Sequence, residues 1–229
     1  MLAGGDCLVH LVDAEAHTLI AGPRGCSVLA FGQRAVSGST HLPRAGVVRI
    51  GETWVQDLGG PHPWEREAAA AELEPVEPEP RPARIVNLEQ VAEQHVARGD
   101  IDRVRRDLGR AAGSVRTGLT HLTVAPGALA APPHCHSAEE ELFVILAGEG
   151  TLTLGESEHA VRAGSVVARP PGTAVAHCFR AGSQGLTLLA YGTREPGDVC
   201  FYPRSNKVGF RGIGLMARVQ ALDYWDGEE

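Results

Sequence analysis

From residue 119 onward, short apolar runs alternate with glycine and proline. Leu119–Val124 alternates with the two-residue period of a strand, and Ala125-Pro126-Gly127 closes it. Leu142–Ala147 and Thr151–Leu154 flank Gly148-Glu149-Gly150, a pattern that predicts a hairpin. Further strands are predicted at His159–Arg162, Ser165–Arg169, Ala174–Arg180 and Leu186–Tyr191, with Lys207–Phe210 and Leu215–Val219 in the tail. Upstream, Leu88–Arg98 reads as a short helix ended by Gly99, and Pro63–Leu73 as another with acids in its first turn. Many short strands with little helix predict an all-β barrel or sandwich.

The chemistry sits in the middle of this pattern. Successive side chains of a strand point to opposite faces, so His134 and His136 project together and Cys135 points away. Glu141 heads the next apolar run and shares its parity with Phe143 and Ile145. His177 follows in a second β-rich run, after Arg169-Pro170-Pro171-Gly172-Thr173. Three imidazoles and one carboxylate suit a divalent transition metal such as iron, manganese, zinc or nickel, and affinity alone does not select among them. Glu139 and Glu140 flank the set, one expected to face solvent and the other the rim. His121 and Tyr191 are further candidates to line a cavity, although packing is the more ordinary role for both.

These residues carry a resemblance to the cupin superfamily. Its first motif is matched by Gly127, His134, His136, Glu141 and Gly148, and its second by Gly164, Pro170, Gly172 and His177. Six residues separate Gly127 from His134, and Ala181 stands where an asparagine is frequent. Residues 84–215 also resemble a group of small bacterial cupins, down to Tyr191-Gly192-Thr193-Arg194 and Tyr202-Pro203-Arg204. The resemblance implies a double-stranded β-helix, or jelly-roll, with a metal held inside by His134, His136, Glu141 and His177. It implies no single reaction, because cupins include oxygenases, isomerases, decarboxylases, sensors and storage proteins.

A second copy of part of this pattern lies near the start. At a fixed offset of 160 positions, residues 17–44 match residues 177–204 at ten of 28 places. A constant offset over that length reads as an internal repeat. Residues 1–60 are therefore expected to be the back half of a second cupin, followed by a proline- and glutamate-rich linker at 61–84 and a complete cupin domain at 85–229. His17 falls in the slot of His177, but no partner histidines accompany it, so it is not expected to bind metal. A half-barrel exposes strand edges and apolar surface, which predicts association, most simply as a homodimer. In the linker, Glu74-Pro75-Val76-Glu77-Pro78-Glu79-Pro80 is expected to be extended.

Composition narrows the function. A formal charge of −7 argues against nucleic acid and anionic membranes as partners. Arg103, Arg105, Arg106 and Arg110 form a local basic cluster, read as a solvated segment balanced by Asp100, Asp102 and Asp107. No apolar stretch reaches the length of a membrane span, and no signal peptide is visible at the start, so a cytoplasmic location is expected. Five cysteines without paired spacing fit reduced thiols. The expected function is a metal-binding cupin acting on a small polar metabolite by oxygenase- or isomerase-type chemistry. The alternative is a noncatalytic cupin that binds a metal or small ligand as a sensor or scaffold.

Overall fold

The structure is a computed structural model of the whole chain, and it describes residues 1–12, 16–34, 37–55, 60–71, 73 and 79–228. The chain forms two compact units. One comprises Met1 and His10–Arg81, the other Leu2–Val9 and Pro82–Glu229.

Strand β1 (Asp6–Leu8) belongs to the larger unit. The smaller unit holds a three-stranded antiparallel sheet of β2 (Ser39–Leu42), β3 (Val47–Ile50) and β4 (Thr53–Val55), followed by helix α1 (Pro63–Ala69). Proline at the first helical position and the His62 imidazole accepting from the Trp64 amide start α1, as its sequence predicts. The described residues of 17–34 form no strand, although their counterparts around 177–193 form the longest strand in the chain. The expected extended run at 74–78 lies outside the described residues.

In the larger unit, β1 pairs antiparallel with β5 (Ile85–Asn87). The main sheet then takes in β6 (Gln94–Arg98), β7 (Ile101–Asp107), β8 (Thr117–Val124), β10 (Glu141–Leu154), β11 (Ser157–Arg162), β12 (Val166–Arg169) and β13 (His177–Thr193). Its order is β11-β10-β13-β8-β7-β6, with β12 also on β10. A smaller sheet of order β16-β15-β14-β9 contains β9 (Cys135–His136), β14 (Val199–Tyr202), β15 (Lys207–Phe210) and β16 (Leu215–Arg218). The four-residue helix α2 (Leu108–Ala111) joins β7 to β8, capped by the Asp107 carboxylate on the Arg110 amide.

Leu88–Arg98 is not a helix: only Leu88–Gln90 makes a 3-10 turn, and Gln94–Arg98 is strand β6. Gly99-Asp100 is the two-residue connection to β7, with Gly99 at φ +60° in the first central position that a type II′ turn reserves for glycine. Gly99 thus closes a hairpin, not a helix. Gly148-Glu149-Gly150 is not a hairpin either but the irregular midpoint of the single strand β10. There a Cβ on Gly148 would lie 2.2 Å from the Gly185 carbonyl oxygen, and one on Gly150 2.1 Å from that of Arg180. Only glycine lets β10 and β13 approach so closely while both bend.

That bend makes the core. The first half of β10 pairs with the second half of β13, and the second half of β10 with the first half of β13. Their inward residues Phe143, Ile145, Leu152, Phe179, Leu186 and Leu188 meet in one cluster. Each of the larger ones contributes about 1.5–3 kcal/mol by leaving water. On the outer face, Cys7, Leu108 and Ala112 form a second cluster with Val86, Leu119 and Leu189. The sheet is therefore covered on one face by its own fold and on the other by β1, β5 and α2.

Candidate metal centre

His134 lies just before β9, His136 on it, and Glu141 and His177 begin β10 and β13. His134 and His177 exchange two backbone hydrogen bonds, of 3.2 and 2.8 Å, which set their rings side by side with centroids 4.6 Å apart. His136 stands 5.2 Å from His134, ring to ring, and edge-on to it. Glu141 reaches into the group with Oε2 at 3.2 Å from His177 Nε2 and 3.6 Å from His136 Nε2. One donor atom each from His134, Glu141 and His177 lies within 4.8 Å of the other two. His136 falls in a separate cluster with His134 and Cys200, so the four predicted ligands share one end of the core but three of them, His134, Glu141 and His177, form the tight donor group.

Hydrogen bonds leave particular nitrogens turned to the centre. The Nδ1 of His134 lies 2.8 Å from the Pro132 carbonyl, so it carries the proton and Nε2 keeps its lone pair. Burial first, and then His177, push the His134 ring down to about 4. The Nδ1 of His136 lies 2.7 Å from Asp198 Oδ2, which orients Nε2 toward Glu141 in the same way. Burial disfavours its charge, yet Cys200, Glu141 and Asp198 outweigh that and push the ring up to about 9. Burial likewise opposes the charge of Glu141, but His177, His136 and His134 hold its carboxyl below the usual range.

The donor set fits a divalent ion. His177 is 3% exposed, and His177 Nε2 and Glu141 Oε2 are buried atoms without a hydrogen-bond partner in this structure. Their 3.2 Å contact lacks the alignment of a hydrogen bond. A contact so poorly aligned leaves part of the desolvation cost of both atoms unmet. A cation between them removes that cost. Adjacent ligands on an ion with bonds of about 2.1 Å stand about 3 Å apart, close to the separations seen.

Asp198 is the functional residue that the sequence reading missed. It is 1% exposed and follows a Pro196-Gly197 turn after β13. Besides His136, it accepts from the Ala138 amide at 3.0 Å and the Glu139 amide at 3.2 Å. Burial opposes its charge, but the His136 contact and these amides hold its carboxyl low. One side chain therefore orients a ligand and fastens the turn between β9 and β10. Nothing in a Glu-Pro-Gly-Asp turn announces that role.

The neighbouring carboxylates separate. Glu140 is exposed, whereas Glu139 is 4% exposed, accepting from the Glu195 amide at 3.1 Å and paired with Arg211. Cys200 is a further residue not foreseen, with Sγ 4.0 Å from His136 Nε2 and within donor range of His134. Among the described residues the five cysteines are free. His10 and His17 stack in the other unit, away from these ligands in the chain.

A cavity of about 480 Å³ opens beside His134, Glu141 and His177. Tyr202 stacks on His134 with centroids 5.7 Å apart, and Tyr191 contributes to the lining. His121 does not: Thr120 and Leu122 face the cavity, so the residue between them faces out, toward Arg106. Arg103 and Arg105 also line it, from strand β7. The basic cluster is thus part of the main sheet and turned inward at these two positions, not a solvated segment ahead of it.

Comparison with known proteins agrees with this architecture. Residues 120–190 match the family model described as a Cupin domain. No curated protein matches the chain. Among solved structures, a protein of Acidithiobacillus ferrooxidans provisionally named a sugar phosphate isomerase is 26% identical, with a TM-score of 0.55 over 62% of this chain and 97% of that one. A cupin-superfamily sugar phosphate isomerase of Silicibacter pomeroyi DSS-3 is 23% identical, with a TM-score of 0.53 over 61% of this chain and 96% of that one. No helix among the described residues is long and apolar enough to cross a membrane. The motif residues, the doubled-over sheet and these likenesses converge: the chain carries a domain of the cupin superfamily, with the cupin fold around its His/Glu cluster.

Proposed function

We propose that this protein is a metal-dependent cupin that acts on a small polar metabolite, with His134, His136, Glu141 and His177 as the ligands of a divalent transition metal. The observation that carries the reading is the pair of buried donor atoms on Glu141 and His177 that face each other without an aligned hydrogen bond, set beside His134 at the wall of a cavity large enough for a small metabolite. When bound, the ion supplies Lewis-acid or redox chemistry to a substrate oxygen. The protein's own part is to hold and orient. Pro132 and Asp198 fix the imidazole tautomers, Tyr202 walls the site against His134, and Phe143 closes it from the core side. Of the two expected reaction types, isomerisation is favoured by the likeness to the Acidithiobacillus ferrooxidans protein.

The noncatalytic reading has one observation of its own. Among the described residues lining the cavity, Asp107 and Glu139 are engaged by arginines and Glu141 by imidazoles. No carboxylate is left over as a general acid or base. We further take residues 1–60 as the remnant of a cupin repeat and the protein as a cytoplasmic homodimer; sedimentation of the purified protein as a monomer would remove the latter.

The test is elemental analysis of protein purified without chelators, followed by assays for aldose–ketose interconversion and for oxygen uptake. Stoichiometric metal with turnover of a hydroxy-carbonyl compound supports the enzyme. Metal with tight ligand retention and no turnover supports the binding module. Absence of metal after reconstitution overturns the enzyme and leaves the small-ligand-binding module.

A further inference from the structure

The cavity beside the metal ligands has a charge that the chain as a whole does not. Its lining includes Arg103, Arg105, Arg110, Arg194 and Arg211 against Asp107, Glu139 and Glu141, in a protein of net charge −7. The acids do not neutralise the arginines one for one. Asp107 is shared by Arg105 at 3.1 Å, Arg194 at 3.6 Å and Arg110 at 3.9 Å. Glu139 is taken by Arg211, and Glu141 lies among the imidazoles.

Arg103 has no carboxylate among the described residues. Its partner is the Ala130 carbonyl, and its Nε is buried without a hydrogen bond, as is that of Arg105. Strand parity explains the placement. Arg103, Arg105 and Asp107 alternate on one face of β7, opposite Val124, Leu122 and Thr120 of β8, and two of those three are core residues. An arginine of this kind is normally expected on the solvent face. Two guanidinium groups turned inward on one strand, Arg103 with no carboxylate and Arg105 with only a share of Asp107, repel one another and carry a desolvation cost.

We propose that this arginine face is an oxyanion site that anchors the charged end of a small substrate, a phosphate ester or a carboxylate, while the rest of the molecule extends toward His134, Glu141 and His177. The proposal deepens the reading of the site given above and relies on it for the direction of the substrate. Guanidinium forks present paired N–H donors that match the oxygens of such groups, which a lysine ammonium does not. Low-dielectric walls around the cluster concentrate its field on an entering anion. Arg103 connects the two ends: it bonds Ala130, two residues before the Pro132 carbonyl that orients His134.

The experiment is calorimetric titration of inorganic phosphate, and separately of acetate, into the full-length protein after chelator treatment, so that no metal contributes. The expected result is saturable binding of at least one of the two anions, which also separates the phosphate from the carboxylate form. Arg105→Gln should weaken it at least tenfold, in a variant that keeps the wild-type circular dichroism and a cooperative unfolding transition. Arg103→Lys, which keeps the charge and loses the fork, should weaken it as well. Arg218→Gln, outside the cavity, should leave it unaltered. Failure of both anions to bind the wild-type protein, or equal binding by a folded Arg105→Gln variant, overturns the proposal. Metal content is measured on the untreated protein in parallel. Arginine-dependent anion binding without metal sinks only the metal reading, and metal without anion binding sinks only this one.

Discussion

Replacing Asp198 by Asn tests how the metal ligands are held. The carboxylate accepts from His136 Nδ1 through Oδ2 and from the Ala138 and Glu139 amides through Oδ1. Asparagine keeps one acceptor and gains one donor. The two backbone amides cannot turn, so the amide oxygen takes the Oδ1 place and the NH2 group faces His136. The imidazole must then accept at Nδ1 and carry its proton on Nε2, the nitrogen directed at Glu141. In the wild type a metal displaces the Nε2 proton while Asp198 holds the one on Nδ1; in the variant, freeing Nε2 drives a proton onto Nδ1 against the NH2 group. Loss of an orienting partner of this kind weakens metal binding about 10–100-fold, or about 1.4–2.7 kcal/mol. Exchanging a charge-assisted hydrogen bond for a neutral one should lower the unfolding free energy by about 1 kcal/mol as well. Competition for zinc against a chromophoric chelator gives the first number, and urea denaturation of the metal-free protein the second. Zinc affinity within twofold of wild type in a folded Asp198→Asn protein would refute the reasoning.

Three further outcomes are expected. His136→Ala should lose most of its metal by elemental analysis while His17→Ala keeps it; equal content in both would remove His136 from the ligand set. Gly150→Ala places a Cβ against the Arg180 carbonyl and should destabilise by about 3 kcal/mol, read as a lower urea midpoint at unchanged slope. His121 is buried, and burial, then Arg106, hold its ring below the usual histidine value. A depressed folded value means that the unfolded chain takes up the proton first, so stability is full above pH ~6.5 and is lost as pH falls below it. His121→Gln should therefore show a shallower fall in melting temperature between pH 7 and pH 5, and an identical fall would remove His121 from the acid limb.

Much of the site was legible because its signals are local. Strand parity put His134 with His136 and Glu141 with Phe143, and those pairings hold in the structure. Asp198 escaped because it acts across more than sixty positions, through a hydrogen bond that no spacing encodes. The inward arginines escaped for a related reason. Alternation in Ile101–Asp107 is visible only once the segment is known to be a strand, and charge alone suggested a wet surface. The misread helix at Leu88–Arg98 followed from the same gap, since Gly99 ends helices and closes hairpins alike. At Gly148–Gly150 the glycines were read as a turn when long-range pairing uses them to bend two strands together.

The pairing of β1 with β5 gives the chain an inserted topology. Leu8 lies opposite Ile85, and the Val9 amide donates to the Arg84 carbonyl at 3.1 Å. His10–Arg81 therefore leaves and re-enters the cupin unit at adjacent points on one ladder. Such an insertion adds little closure entropy as it grows, about 0.6 kcal/mol per doubling of length. The host can thus tolerate gain, loss or erosion of sequence between residues 9 and 82, provided the ladder survives. Deleting the chain before residue 82 as if it were a separate leader would instead take an edge strand from the host and uncover Val86 and Leu119. The small unit is best viewed as cargo carried on a loop, and the strand before it as a structural part of the carrier.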